Sequence, residues 1–184
     1  MQTYISMLRG INVSGRNTIK MDALRTMYES MNFNNVKTYI QSGNVVFKTK
    51  TSKSNELQKK IISQIKKDFG FDVPVMVKEI IELSTVYNHN PFLIKRKEDI
   101  SKLHVTFLSE EPEEAGIKKI KEGTYGEDEF IFSGKVVYLF CPNGYGNTKL
   151  TNTFFENKLK LTATTRNWKT VTELVTIAEE ISNS

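Results

Sequence analysis

The chain has 184 residues, 39% hydrophobic and 26% charged, with a net charge of +5. It can therefore bury a real core, and it has no uninterrupted apolar run of the roughly 18 residues that a membrane span requires. One cysteine, Cys141, excludes an intrachain disulfide and fits a reducing compartment; with no basic, apolar leader at residues 1–7, a cytoplasmic protein is expected.

Residues 3–8 read as a strand, followed by an unusually polar turn at residues 9–18. Met21, Leu24, Met27, Tyr28 and Met31 recur at helical spacing and predict a helix over residues 20–31. Residues 36–41 and 44–48 form strands around Ser42-Gly43, a tight-turn pair. Ser54 is placed to cap the next helix, along which Leu57, Ile61, Ile65 and Phe69 step by four until Gly70 stops it. Residues 73–78 are a further strand, with Pro74 at its beginning or on an edge.

Residues 79–102 read as a linker holding a short helix near residues 80–87. Beyond it come a strand at 103–108, a short helix at 112–121 and a hairpin from 130 to about 140. A helix at 153–159 follows, with Thr153 and Glu156 spaced as a capping box. The last strand is expected at 161–165. The last helix is expected from Thr170, with a second capping-box spacing to Glu173 and a buried stripe of Leu174, Ile177, Ala178 and Ile181.

Residues 39–47 spell Y-I-Q-S-G-N-V-V-F and residues 130–138 spell F-I-F-S-G-K-V-V-Y, so Ser42 matches Ser133. Both halves carry the order β-α-β-β-α-β. The fold expected is α+β, a tandem of ferredoxin-like units at residues 1–78 and 103–184, with antiparallel sheets covered by helices. The pairs Ser42-Gly43 and Ser133-Gly134 should occupy equivalent hairpin turns. The first and third strands of each unit are expected to run parallel, so that their C-terminal ends and both helix N-termini share one edge. Helix N-termini favour anions there. That edge would carry residues 9–18 and 49–53 in the first unit and 142–152 in the second.

The candidate binding residues come from these loops. Gly10 and Gly15 have phosphate-loop spacing, but Arg16 and Asn17 stand where that pattern needs Lys and then Ser or Thr. The alternatives are a looser anion loop using Arg9, Asn12 and Arg16, or a long turn that Asn12 and Ser14 close locally. In the second half, Asn147 and Lys149 offer a donor and a charge. Arg166 could clamp a phosphate or carboxylate, Asn167 could bind or fix its turn, and Trp168 could stack a ring or simply pack. Arg9, Arg16, Lys149 and Arg166 are expected on one connected surface.

Catalytic constellations are thin. His104 reads as a structural strand residue, His89 as a turn residue and Cys141 as a packing residue without a base. No ligand spacing supports a metal, and no cofactor is implied.

The segments L-R-G-I-N-V-S-G-R-N at residues 8–17, S-G-N-V-V-F at 42–47, Y-G-N-T-K-L-T-N-T-F-F-E at 145–156 and A-T-T-R-N-W-K-T-V at 163–171 resemble a bacterial family of proteins of unknown function, DUF1697. The resemblance spans essentially the whole chain and implies a tandem ferredoxin-like α+β fold. It brings no catalytic roster. One departure is Ser14, where many relatives carry Gly.

Three functional readings follow. The favoured one is binding of a phosphate-bearing ligand, a nucleotide or nucleic acid, through basic Gly/Asn-rich loops. The others are a metal-independent small-molecule enzyme and a structural or interaction module. The oligomeric state is left open by the sequence.

Overall fold

The computed structural model describes residues 1–184. The chain forms two compact units, one of Met1–Thr85 with Glu173–Ser184 and one of Val86–Thr172. The residues 173–184 that helical periodicity placed with the second half thus belong to the first unit.

The first unit is built from β1 (Gln2–Leu8), α1 (Met21–Ser30), β2 (Asn34–Tyr39), β3 (Asn44–Thr49), α2 (Ser54–Phe69) and β4 (Val75–Glu79). Its sheet has the order β2-β3-β1-β4, and each neighbouring pair is antiparallel. One face carries Tyr4, Leu8, Val45, Phe47, Val75 and Val77 against Leu24, Met27 and Tyr28 of α1 and Leu57, Ile61 and Ile65 of α2. The three- and four-residue spacing of those helical positions is what makes each helix one-sided. Gly70, at φ 84, ends α2 and donates its N–H to the carbonyl of Lys66. Ser54 is the first helical residue rather than the cap; Lys53 holds the cap position and no side chain caps it.

On the sheet face opposite Tyr4, residues 173–184 are tied in by polar contacts. Ser182 Oγ donates to Thr3 Oγ1 at 2.8 Å, Asn35 Nδ2 donates to Ser184 Oγ at 3.1 Å, and Lys37 Nζ pairs with Glu180 at 3.1 Å. From β4 the chain passes directly into α3 (Ile80–Asn88).

The second unit follows with α4 (Pro91–Arg96), β5 (Leu103–Leu108), α5 (Glu114–Lys121), β6 (Glu129–Ser133), β7 (Val136–Phe140), α6 (Asn152–Leu159), β8 (Ala163–Asn167) and the start of α7 (Trp168–Asn183). Its sheet order is β6-β7-β5-β8, again antiparallel throughout. Leu108, Val137, Leu139 and Ala163 meet Ile120 of α5 and Phe155 of α6 in its core. The cap of α6 is Thr151, whose Oγ1 accepts from Phe154 N, and not Thr153; Glu156 instead accepts the N–H of Ala163. The last helix begins at Trp168, two residues before the expected start, because Asn167 Oδ1 takes the N–H of Thr170.

Two expectations are corrected by strand pairing. β1 runs antiparallel to β3, and β5 to β7, so the C-terminal end of one meets the N-terminal end of the other. The N-termini of α1 and α2 therefore lie at opposite edges of their sheet. Residues 9–18 follow a first strand, whereas 142–152 follow a third strand, so the two loops are not equivalent.

The second correction concerns register. Leu8 N–H donates to Gly43 O and Leu108 N–H to Lys135 O; Arg9 N–H donates to Pro74 O and Ser109 N–H to Thr162 O. These pairs match Gly43 to Lys135 and Val45 to Val137, one residue out of step with the repeated letters. Val45 and Val137 both face their helical cores, and a one-residue slip would turn either to the other face. Gly134 lies in the two-residue turn of one hairpin, while Ser42-Gly43 closes the longer turn of the other.

Candidate functional site

Residues 9–18 form a small, tightly closed hairpin rather than an open loop. Asn12 N–H donates to Asn17 O, Arg16 N–H donates to Val13 O, and Val13 and Arg16 pair as an isolated bridge. Ser14 (φ 50) and Gly15 (φ 72) sit at the turn, both left-handed, the combination that a type I′ turn requires. Asn12 (φ 55) and Asn17 (φ 48) are left-handed as well.

Such a backbone persists only where its surroundings hold it. Two asparagine side chains do so here. Asn12 Nδ2 donates to the carbonyls of Ile19 and Gln41, each at 2.9 Å, and its Oδ1 accepts Ile19 N–H at 2.9 Å. Asn17 Nδ2 donates to Gly10 O at 3.1 Å. The bond to Gln41 ties this hairpin to the turn between β2 and β3. In that turn Ile40 is left-handed at φ 50, an uncommon conformation for a β-branched residue. Beneath it Gly43, at φ 78, is pressed against Leu8 and Ile11.

The sheet edge at the end of β1 thus presents a rigid surface. It includes exposed Val13, Ile40 and Arg16 and half-buried Arg9. Arg16 makes no ion pair. Ile40 and Gln41 were not among the residues singled out from the sequence. No side-chain chemistry marks a carbonyl acceptor, and only the Ser42-Gly43 turn pair hinted at this turn.

The other candidate residues lie in the second unit, and most are engaged structurally. Asn147 Nδ2 donates to Asn143 O at 2.8 Å, and Asn143 Nδ2 donates to Glu127 at 2.8 Å. Thr148 Oγ1 donates to Asp128 at 2.5 Å and accepts from Leu150 N–H. The loop at 142–152, which reads as basic along the chain, is therefore fastened by two carboxylates from the segment before β6. Lys149 remains exposed.

Arg166 is buried in β8, opposite Val105, and its guanidinium donates to Thr165 O at 2.9 Å. Desolvation draws its pKa down to about 10. Trp168 is buried and stacks on Tyr87, with ring centroids 5.6 Å apart. Asn167 spends its carbonyl on the start of α7.

His104 stacks on Tyr145, and its partly buried ring has a lowered pKa, chiefly through desolvation with a smaller opposing effect from Lys102. Cys141 is fully buried, and desolvation, with Asp128 nearby, pushes its thiol up to about 11. No three His, Cys, Asp or Glu side chains lie together as a metal-binding group. No helix is long and apolar enough to cross a membrane.

Comparison with known proteins adds the family and the fold. No functionally curated protein matches the chain. The chain is similar in structure to a conserved bacterial protein from Streptococcus pneumoniae, with a TM-score of 0.76 and 21% identity over 96% of this chain and 98% of that one. The family model described as "Protein of unknown function (DUF1697)" matches residues 1–138, which include the stapled hairpin at 9–18 and both β-hairpin turns, and the chain belongs to that family.

Proposed function

We propose that the protein binds a phosphate-bearing ligand, a nucleotide or nucleic acid, through the hairpin at residues 9–18. Arg16 and Arg9 supply the positive charge, and Asn12 positions the backbone that carries them. The observation that carries this reading is the held strain of the edge. Asn12, Ser14, Asn17 and Ile40 are four non-glycine residues in left-handed conformation on two stapled loops. Each such residue costs on the order of 1–3 kcal/mol, and strain of this kind concentrates at ligand clamps and switch regions. Within the second unit, and separately from the hairpin, exposed Lys149 is a candidate phosphate contact of its own, beside the loop that Asn147 holds; Asn167, Trp168 and buried Arg166 support that unit's fold.

Other parts of the proposal concern organisation. The common strand order of the two sheets supports a tandem ferredoxin-like duplication, with copies at residues 1–78 and 103–184. The single cysteine, fully buried as a free thiol, supports a cytoplasmic location.

The test is a melting-temperature screen against nucleotides and short single-stranded oligonucleotides at two salt concentrations, since a ligand bound to the native state raises the melting temperature. Binding should weaken with salt, and Arg16→Ala should weaken it by about 1–3 kcal/mol, the worth of a charge-assisted contact, without lowering stability. Equal binding by Arg16→Ala and the parent would remove the hairpin from the site.

A further inference from the structure

Because β1 and β3 are antiparallel, the first unit has a second loop edge, opposite the hairpin at 9–18, where β3 ends and α2 begins. A cavity of about 510 Å³ opens there, within the size range of small-molecule sites. Its lining includes Met31, Phe33 and Leu57, of which Phe33 and Leu57 are buried. Lys50 and Lys60 are exposed at its wall, neither forms an ion pair, and no carboxylate residue lines the cavity. The wall is prebuilt. The buried Tyr4 hydroxyl donates to Ser52 O at 2.8 Å and accepts Ser52 N–H at 3.0 Å, which fixes the segment carrying Lys50. Asn32, left-handed at φ 61, also lines the cavity.

A cavity with an apolar floor and two cations without carboxylates selects for one ligand chemistry. We infer that it binds an amphipathic anion, with a phosphate or carboxylate head between Lys50 and Lys60 and an apolar or aromatic body over Met31, Phe33 and Leu57. The two lysines provide the charge, and the floor provides affinity that a bare inorganic anion cannot draw on. This site is separate from the hairpin at 9–18 and stands or falls independently of it.

The experiment is calorimetric titration of the full chain with 1-naphthyl phosphate, 1-naphthoate, neutral 1-naphthol and inorganic phosphate. The naphthyl anions should bind at least tenfold more tightly than inorganic phosphate or naphthol. A preference between the two anions identifies the head group. Lys50→Ala/Lys60→Ala should weaken the preferred anion at least tenfold, and Lys50→Glu/Lys60→Glu should abolish binding. Both pairs change exposed side chains, so their melting temperatures should match that of the parent. Lys118→Ala, which changes an exposed lysine outside both candidate sites, should bind like the parent. The inference is overturned if neither naphthyl anion binds, if naphthol binds as well as they do, or if the lysine pairs bind unchanged. It is also overturned if Arg16→Ala alone abolishes binding, which would place the anion at the hairpin.

Discussion

The side-chain amide of Asn12 donates to the main-chain carbonyl of Gln41 at 2.9 Å, joining two loops that lie 29 residues apart. The same side chain also makes two bonds with Ile19, so one asparagine holds both the shape of its hairpin and its attachment to the next turn. Asn12→Ala should therefore cost about 4–5 kcal/mol, from three lost hydrogen bonds near 1 kcal/mol each and from a left-handed backbone without a partner. Asn12→Gly, which tolerates φ 55, should cost less than Asn12→Ala. Urea denaturation of the two variants measures the difference, and equal losses would show that the side-chain bonds alone matter.

Ile40 and Ser14 bear backbone strain on exposed surface. Ile40→Asn and Ser14→Gly should each raise stability, by roughly 0.5–1 kcal/mol, because Asn and Gly enter the left-handed region more easily. If either strain serves ligand binding through the held loop shape, the stabilised variant should also bind its ligand less tightly. Paired denaturation and oligonucleotide titration would read both effects.

The two glycines of the repeated phrase should respond differently. A Cβ on Gly43 would stand 2.6 Å from Ile11 Cδ1 and 2.8 Å from Leu8 Cβ, whereas one on Gly134 meets nothing within 4 Å. Both have positive φ. Gly43→Ala should cost about 3 kcal/mol or more, combining conformational strain with overpacking, and Gly134→Ala about 1 kcal/mol. Similar melting temperatures for the two would contradict this packing.

That contrast also shows what the sequence could convey. Hydrophobic periodicity located the strands and helices because burial imposes it directly, as at Leu57, Ile61 and Ile65. The repeated letters located two hairpins but missed their register by one residue. Val-Val runs look alike on both faces of a strand, and only the hydrogen bonds of Leu8 and Leu108 decide which valine faces the core. Local periodicity carries no strand direction, and a parallel β1 and β3 would merge two edges that the antiparallel pairing keeps opposite. At the candidate site, Arg16 was legible as a charge in a glycine-flanked turn. The carboxylates of Glu127 and Asp128 beside residues 142–152 were not, since the contact joins segments that no local pattern connects.

His104 supplies a pH prediction. Its pKa is lowered in the folded chain, mainly by desolvation, so below the unfolded value of about 6.5 the unfolded state binds more protons. Its contribution to stability is present above that value and is lost as pH falls toward the folded pKa. His104→Phe should flatten the decline in urea midpoint between pH 7.5 and 5.5. An unchanged slope would assign that decline to other groups.

Cys141 should be inert in the native protein. With no exposure and a thiol pKa pushed up to about 11, it should resist iodoacetamide at pH 8 and react once denatured. Mass spectrometry of the intact protein distinguishes the two states, and rapid native labelling would mean that the loop after β7 opens.

The contact between Thr3 and Ser182 has a consequence for biogenesis. As the ribosome extends the chain, the first sheet can pair long before residues 173–184 are made, but its face opposite Tyr4 must wait for them. A nascent chain stalled before this segment emerges would therefore carry a sheet with an incomplete cover. Chaperone capture and proteolytic nicking should concentrate at that stage, and release of the final helix should end both.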